Sequence, residues 1–234
     1  MLRHVSASPS SNRFPWLKVA LFAAALTVGA GVGIGVAVAN QSGGSTNVTA
    51  TAPDDPGITW PAGARRAPDF TLRDQAGRTI SMRSLRGRPV ILAFIDPVCR
   101  NLCPLEAKVL NDVPAQFPAS TRPAIVAVSV NPWGQAPSNL RLDAVRWRLV
   151  PAWRWALGRY APLARVWQQY AIGVRVHTKT LAGVTVHTVD HTEAAYVIDP
   201  AGYERALFVF PYRSGDVVSA VRRVLAGRSS SSQR

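Results

Sequence analysis

The sequence predicts an α/β layer sandwich with a central mixed sheet, preceded by one N-terminal transmembrane helix. Three observations carry this. The runs 89–95 and 124–130 are apolar at consecutive positions, as in strands buried on both faces, and a helical pattern separates them. The strand-like runs 194–198 and 206–210 flank the turn Asp199-Pro200-Ala201-Gly202 and read as an antiparallel hairpin. Residues 19–39 form a 21-residue run without a charge, long enough to cross a hydrocarbon core of roughly 30 Å.

Arg3, Arg13 and Lys18 precede that run, and Asp54 and Asp55 follow it at a distance. The positive side stays in the cytoplasm, so the expectation is a single-pass protein of the cell membrane with residues 1–18 cytoplasmic and the globular domain extracytoplasmic. Ala37-Val38-Ala39 is a small-residue site of the kind signal peptidase cuts, but the apolar core is longer than that of a signal peptide. An uncleaved anchor is favoured. Gly29, Gly31, Gly33 and Gly35 give small-residue spacing that reads as filler before it reads as a helix-pairing face. Residues 40–66, rich in Ser, Gly, Thr and Pro, read as a flexible tether, and 227–234 as a disordered tail. About 160 residues remain, 67–226, enough for one domain with its own core.

The formal net charge is +14. Nucleic acid is not expected as a partner, because the chain is expected to be exported and its arginines are spread rather than clustered among aromatics. Anionic headgroups at the membrane, or an acidic membrane partner, fit the charge better, and a general bias of the composition towards Arg and Ala accounts for it equally well.

Within the domain, Pro68-Asp69-Phe70-Thr71-Leu72 and Arg78-Thr79-Ile80-Ser81 flank a turn and form a hairpin. A short helical turn follows at 82–85, then the buried strand 89–95. A helix is expected over 104–117, with Leu105, Val109, Leu110, Val113 and Phe117 at helical spacing and Pro104 in its first turn. The strand 124–130 then makes a right-handed parallel crossover. Helices are expected at 138–149 and 161–170, with a short apolar link at Trp153-Arg154-Trp155 between them. The closing helix, 214–226, carries Val217, Val218, Val221 and Val224 on one side. Trp147, Trp153, Trp155 and Trp167 are expected in the core. Parallel strands first, an antiparallel hairpin last and helices on both faces make the layer sandwich thioredoxin-like.

The only two cysteines, Cys99 and Cys103, stand between the strand 89–95 and the helix after it. A helix N-terminus stabilises thiolate, the nucleophilic and metal-binding form. With the helix begun by Cys99, the two sulfurs share one face and hold one small ion or close a disulfide. A purely structural disulfide is weakly motivated, because so small a loop constrains the unfolded chain little. A third ligand is sought among His4, His177, His187 and His191. His4 lies on the wrong side of the membrane. His191, in Val189-Asp190-His191-Thr192-Glu193, comes just before the strand 194–198. In a thioredoxin-like sheet that strand neighbours the one feeding the cysteine helix, so His191 reaches the thiols. Two cysteines and a histidine suit copper better than magnesium, calcium or manganese, while zinc wants a fourth ligand. His177 and His187 lie in the same connection as backup ligands or gates.

These features together resemble the Sco/SenC family of copper-binding, thioredoxin-like, membrane-anchored proteins. The resemblance rests on Ala67-Pro68-Asp69-Phe70-Thr71-Leu72, the Cys99-x3-Cys103-Pro104 motif, Val128-Ser129-Val130-Asn131-Pro132, and Asp190-His191-Thr192 ahead of Tyr196-Val197-Ile198-Asp199-Pro200. It spans about residues 67–226. It implies binding of Cu(I) or Cu(II) by Cys99, Cys103 and His191, with Asp190 as a supporting group. It also implies a role in supplying, or keeping reduced, the copper centre of cytochrome c oxidase, so that the expected partner is that enzyme's copper-bearing subunit or another exported cuproprotein. The chain departs from the family pattern at Arg100, where proline is common after the first cysteine, at Asn131, at Gly134-Gln135-Ala136 and at Asp96-Pro97-Val98. Arg100 is expected to lower the thiol pKa values by its charge.

An enzymatic alternative is a thiol–disulfide oxidoreductase acting on exported cysteine pairs, in which Cys99 attacks and Cys103 resolves. The three-residue gap, and the lack of proline between Pro162 and Pro200, count against a general reductase. A thiol peroxidase lacks the expected threonine ahead of the reactive cysteine.

Overall fold

The computed structural model describes the backbone of residues 57–231 and the side chains of 57–227. The expected cytoplasmic segment 1–18, the anchor 19–39 and most of the expected tether lie outside the described residues. Among those described, no helix is long and apolar enough to cross a membrane.

In chain order the elements begin with the short strand β1 (Ile58–Thr59). The hairpin β2 (Thr71–Arg73) and β3 (Thr79–Ser81) follows, then the strand β4 (Val90–Ile95). Helix α1 (Leu102–Asn111) leads to β5 (Ala124–Ser129), helix α2 (Pro137–Arg146), β6 (Trp153–Ala156) and helix α3 (Tyr160–Gln169). A long hairpin, β7 (Val174–Leu181) and β8 (Val184–His191), precedes β9 (Ala194–Ile198), β10 (Glu204–Val209) and the closing helix α4 (Ser214–Ser231).

The central sheet has the order β1-β10-β9-β4-β5-β6. Strands β4, β5 and β6 run parallel, whereas β9 is antiparallel to β4 and β10 to β9. The sheet is mixed, and β9 lies beside β4, as expected. Because side chains alternate along a strand, β4 feeds two cores. Ile91, Ala93 and Ile95 pack with Ala107 and Leu110 of α1, Leu140 of α2, and Val217 and Val221 of α4. Val90, Leu92 and Phe94 pack on the other side with Leu163, Val166 and Trp167 of α3 and with Leu72 and Ile80 of the first hairpin. Trp147, Trp153, Trp155 and Trp167 are all buried. The result is the expected thioredoxin-like α/β sandwich.

The boundaries differ most from the sequence expectations in four places. The fold starts ahead of residue 67: β1 pairs with β10, the Trp60 ring stacks over Tyr196, and Arg65 pairs with Glu204. At the other end, α4 runs into the expected tail. Helix α1 is shifted towards the N-terminus. Its buried face is Cys103, Glu106, Ala107 and Leu110, while Leu105 is exposed. Val113 and Phe117 are buried from a separate 3-10 turn, Pro114–Gln116, because Pro114 cannot continue an α-helix. Finally, the segment read as a connection carrying three histidines is the β7–β8 hairpin. Its two-residue turn, Ala182-Gly183, has positive φ at both positions (48° and 80°), the geometry that matches strand twist in a tight hairpin.

Candidate metal centre

Strand β4 ends at Ile95, and the chain turns at the buried Asp96. Its backbone carbonyl accepts from Cys99 N–H (3.1 Å), and its Oδ1 accepts from Val98 N–H (2.9 Å). Cys99 therefore sits in a turn before the helix, not on its first turn as the spacing suggested. Asn101 is the N-cap: its Oδ1 accepts from Leu102 N–H (2.9 Å) and, while Cys99 is protonated, from that thiol (2.8 Å). Cys103 lies in the first turn of α1 and is fully buried, whereas Cys99 is partly open to solvent. Both are free thiols in this structure.

The two cysteines are not equivalent. The Cys103 thiol donates to Cys99, and this bond, joined by the backbone N–H groups of Asn101 and Cys103, brings Cys99 down to about 6 against the opposing effect of burial. The Cys103 thiol is pushed far up, first by that same bond to Cys99, then by burial and by the Cys99 and Glu193 charges. Arg100 contributes little here. Its guanidinium bonds the Cys99 carbonyl (2.8 Å) and the buried Asp143 carboxylate (3.1 Å). Among the causes that set the two thiols, Arg100 does not figure; its charge acts instead on Asp143 and Asp96.

His191 is the last residue of β8, and its side chain is only 4% exposed. Nδ1 lies 3.1 Å from the Thr192 carbonyl, which can only accept, so Nδ1 carries the proton. Nε2 is then the lone-pair nitrogen, and it faces Cys103 Sγ at 3.6 Å. Burial lowers the His191 pKa, which keeps the ring neutral and ready to ligate at neutral pH. The partner that orients the ring is thus the Thr192 carbonyl. Asp190, expected in that role, instead binds His177 Nε2 through Oδ2 (2.7 Å) on the exposed side of the hairpin. His187 stacks on Trp133 (4.0 Å between ring centroids) and pairs with Thr178 Oγ1 through Nδ1 (3.0 Å).

One further group was not singled out in the sequence. Glu193 Oε1 lies 3.6 Å from Cys103 Sγ and 3.9 Å from His191 Nε2. The donor atoms of Cys99, Cys103 and Glu193 all fall within 4.8 Å of one another. Burial, and then the Cys99 charge, raise Glu193 to about 7. The available signal was the i, i+2 spacing from His191 in extended chain, which points alternate side chains the same way.

These separations suit a metal ion. Metal–sulfur bonds of about 2.3 Å and metal–nitrogen bonds of about 2.0 Å give tetrahedral edges of about 3.3–3.8 Å. The contacts of Cys103 with His191 and Glu193 are 3.6 Å each. His191 adjoins the mutually close set of Cys99, Cys103 and Glu193 through Cys103 and Glu193, so two sulfurs and an imidazole nitrogen that suit copper come from a turn, a helix and a strand end.

The fold has solved counterparts. ScoI of Arabidopsis thaliana with copper bound superposes with a TM-score of 0.59 at 17% identity, covering 69% of this chain and 98% of that one. ScoI of Bradyrhizobium japonicum with copper bound gives 0.56 at 21% identity, covering 68% and 99%. Yeast Sco1 with copper bound gives 0.58 at 18% identity, covering 68% and 87%. No curated protein matches the chain in sequence. The SCO1/SenC family model matches residues 61–226, and the chain belongs to that family.

Proposed function

We propose that this protein is a membrane-anchored copper chaperone that holds copper through Cys99, Cys103 and His191 and passes it to an exported acceptor. The observation that carries this reading is the meeting of His191 Nε2 with Cys103 Sγ at 3.6 Å, beside the activated Cys99. The copper-bound Sco structures of similar fold support it. The acceptor that fits best is the copper-bearing subunit of cytochrome c oxidase, met at the outer face of the cell membrane, where residues 19–39 would anchor the domain.

The residues divide the work. Cys99, half-exposed and ionised near neutral pH, captures Cu(I) first. Cys103 then gives up its proton and closes the site from the buried side, and His191 supplies a neutral nitrogen. Cys99 remains the ligand nearest solvent, so an acceptor thiolate exchanges there first. Oxidation of the two thiols to a disulfide removes both sulfur ligands, so the redox state gates loading.

The test is copper binding by the full-length chain in detergent, reduced and anaerobic. One tightly held Cu(I) per chain is expected, abolished in Cys103→Ser and much weakened in His191→Ala. Wild-type affinity in either variant would overturn the site.

A second reading rests on the same asymmetry. A partly exposed, acidified Cys99 beside a buried Cys103 is also the arrangement of an attacking and a resolving cysteine. Under that reading the chain reduces disulfides in exported proteins. Disulfide exchange with a model cysteine-pair peptide, retained in His191→Ala, would favour it.

A further inference from the structure

We propose that Glu193 is a fourth ligand in this chain, completing a two-sulfur, one-nitrogen, one-oxygen site that takes a divalent first-row metal ion. The inference deepens the copper-site reading above and rests on it.

Three observations lead there. Glu193 Oε1 is in reach of both Cys103 and His191, and all three of the Cys99, Cys103 and Glu193 donor atoms lie within 4.8 Å. Its other oxygen, Oε2, is buried with no hydrogen-bond partner in the protein. The one protein donor to this buried carboxylate is the Cys103 thiol, at a long 3.6 Å from Oε1, and a carboxylate so poorly served is costly unless something positive binds it. The backbone of Glu193 is also fixed, because its carbonyl accepts from Phe210 N–H (2.9 Å) just past the end of β10.

The chemistry separates two oxidation states. Cu(I) is soft and satisfied by two thiolates and an imidazole, and gains little from a hard carboxylate oxygen. A divalent ion such as Cu(II), Zn(II) or Co(II) gains a fourth donor and a third negative charge, and four-coordinate S2NO sites suit it. Glu193 therefore widens the site from Cu(I) alone to divalent ions.

The experiment uses the full-length chain in detergent, reduced and anaerobic, with Glu193→Gln and Glu193→Ala. Co(II) is titrated while its visible ligand-field bands are recorded, Zn(II) affinity is read by competition with a chromophoric chelator, and Cu(I) affinity with a Cu(I)-specific one. In the wild type, Co(II) should give intense tetrahedral bands with sulfur charge transfer. Both variants should lose about 100-fold or more in Co(II) and Zn(II) affinity, since even groups that only support a ligand are worth 10–100-fold. Their Cu(I) affinity should stay within about threefold, and that retained binding shows that the variants are folded. Equal losses for Cu(I) and the divalent ions, or unchanged divalent binding, would overturn the role of Glu193. Failure of the wild type to bind Cu(I) is a different result, and overturns the copper-site reading instead.

Discussion

Cys103 Sγ and His191 Nε2 stand 3.6 Å apart although 88 residues separate them in sequence. The strand order explains the meeting. Strand β9 lies against β4 in the sheet, so the chain entering β9 and the chain leaving β4 reach the same end. Replacing His191 with Ala should lower Cu(I) affinity by at least about 10–100-fold. The fold should persist, since the ring's hydrogen bonds are to its neighbour's carbonyl and to Cys103 within the site, and none ties it to another strand of the sheet. A Cu(I) chelator competition checks the affinity, and thermal unfolding checks the fold.

The asymmetry of the thiols predicts a pH profile. Cys99, at about 6, is mostly thiolate at neutral pH, and Cys103 is protonated throughout the usual range. Iodoacetamide should therefore modify Cys99 alone, with a rate that rises through an inflection near pH 6. In Cys103→Ala the largest influence lowering Cys99 is lost, and the inflection should move up towards that of an ordinary thiol at about 8.5. Mass spectrometry of the alkylated peptides reads both sites. An inflection that stays put in the variant would show that the backbone N–H groups at the start of α1, and not Cys103, set the acidity of Cys99.

The meeting of Cys103 with His191 was more legible in the sequence than the architecture around it. Cys99, Cys103 and His191 are rare residue types, and each adjoins a strand whose uninterrupted apolar run is hard to misread. The start of α1 was misplaced because Cys103-Pro104 drew attention from Asn101, whose side chain caps the helix. Its end was misplaced because Val113 and Phe117 continue the apolar spacing past Pro114. The β7–β8 hairpin was missed because its turn is Ala182-Gly183, without the Asn-Gly or Asp-Gly pair that usually marks such turns, and because its exposed strands are mostly polar. Glu193 was passed over because a lone carboxylate has no local signature. Only the packing of β8, β9 and α1 shows that it is buried against the thiols.

The hairpin matters because His191 is its final residue. Trp133 stacks on His187 at 4.0 Å and tilts against Tyr160 at 6.0 Å, which seats β8 on the body of the domain. Trp133→Ala should remove about 1 kcal/mol of this packing. Backbone amide exchange should quicken in β7 and β8 while β4, β5 and β9 keep their protection. Copper affinity should fall by less than in His191→Ala, because the ligand remains and only its positioning loosens. Unchanged exchange in the hairpin would show that Trp133 is not what holds it.

Behind the site, Glu106 is fully buried in α1. Tyr212 donates its hydroxyl to Oε1 (2.7 Å), while Oε2 has no partner. Burial, with the Glu193 and Cys99 charges adding to it and Tyr212 opposing, pushes Glu106 up to about 8. In the unfolded chain a glutamate titrates near 4.3. The folded state therefore binds the proton more tightly, and the stability gained from it is complete below about pH 4.3. It is lost progressively as pH rises through that value towards 8. Glu106→Gln keeps an acceptor for Tyr212 and removes the titration. Its unfolding free energy should fall less steeply between about pH 5 and 8 than that of the wild type, so the variant gains relative stability at the alkaline end. Urea unfolding of the metal-free chain at several pH values checks this. Parallel slopes in the two proteins would show that Glu106 does not titrate in that window.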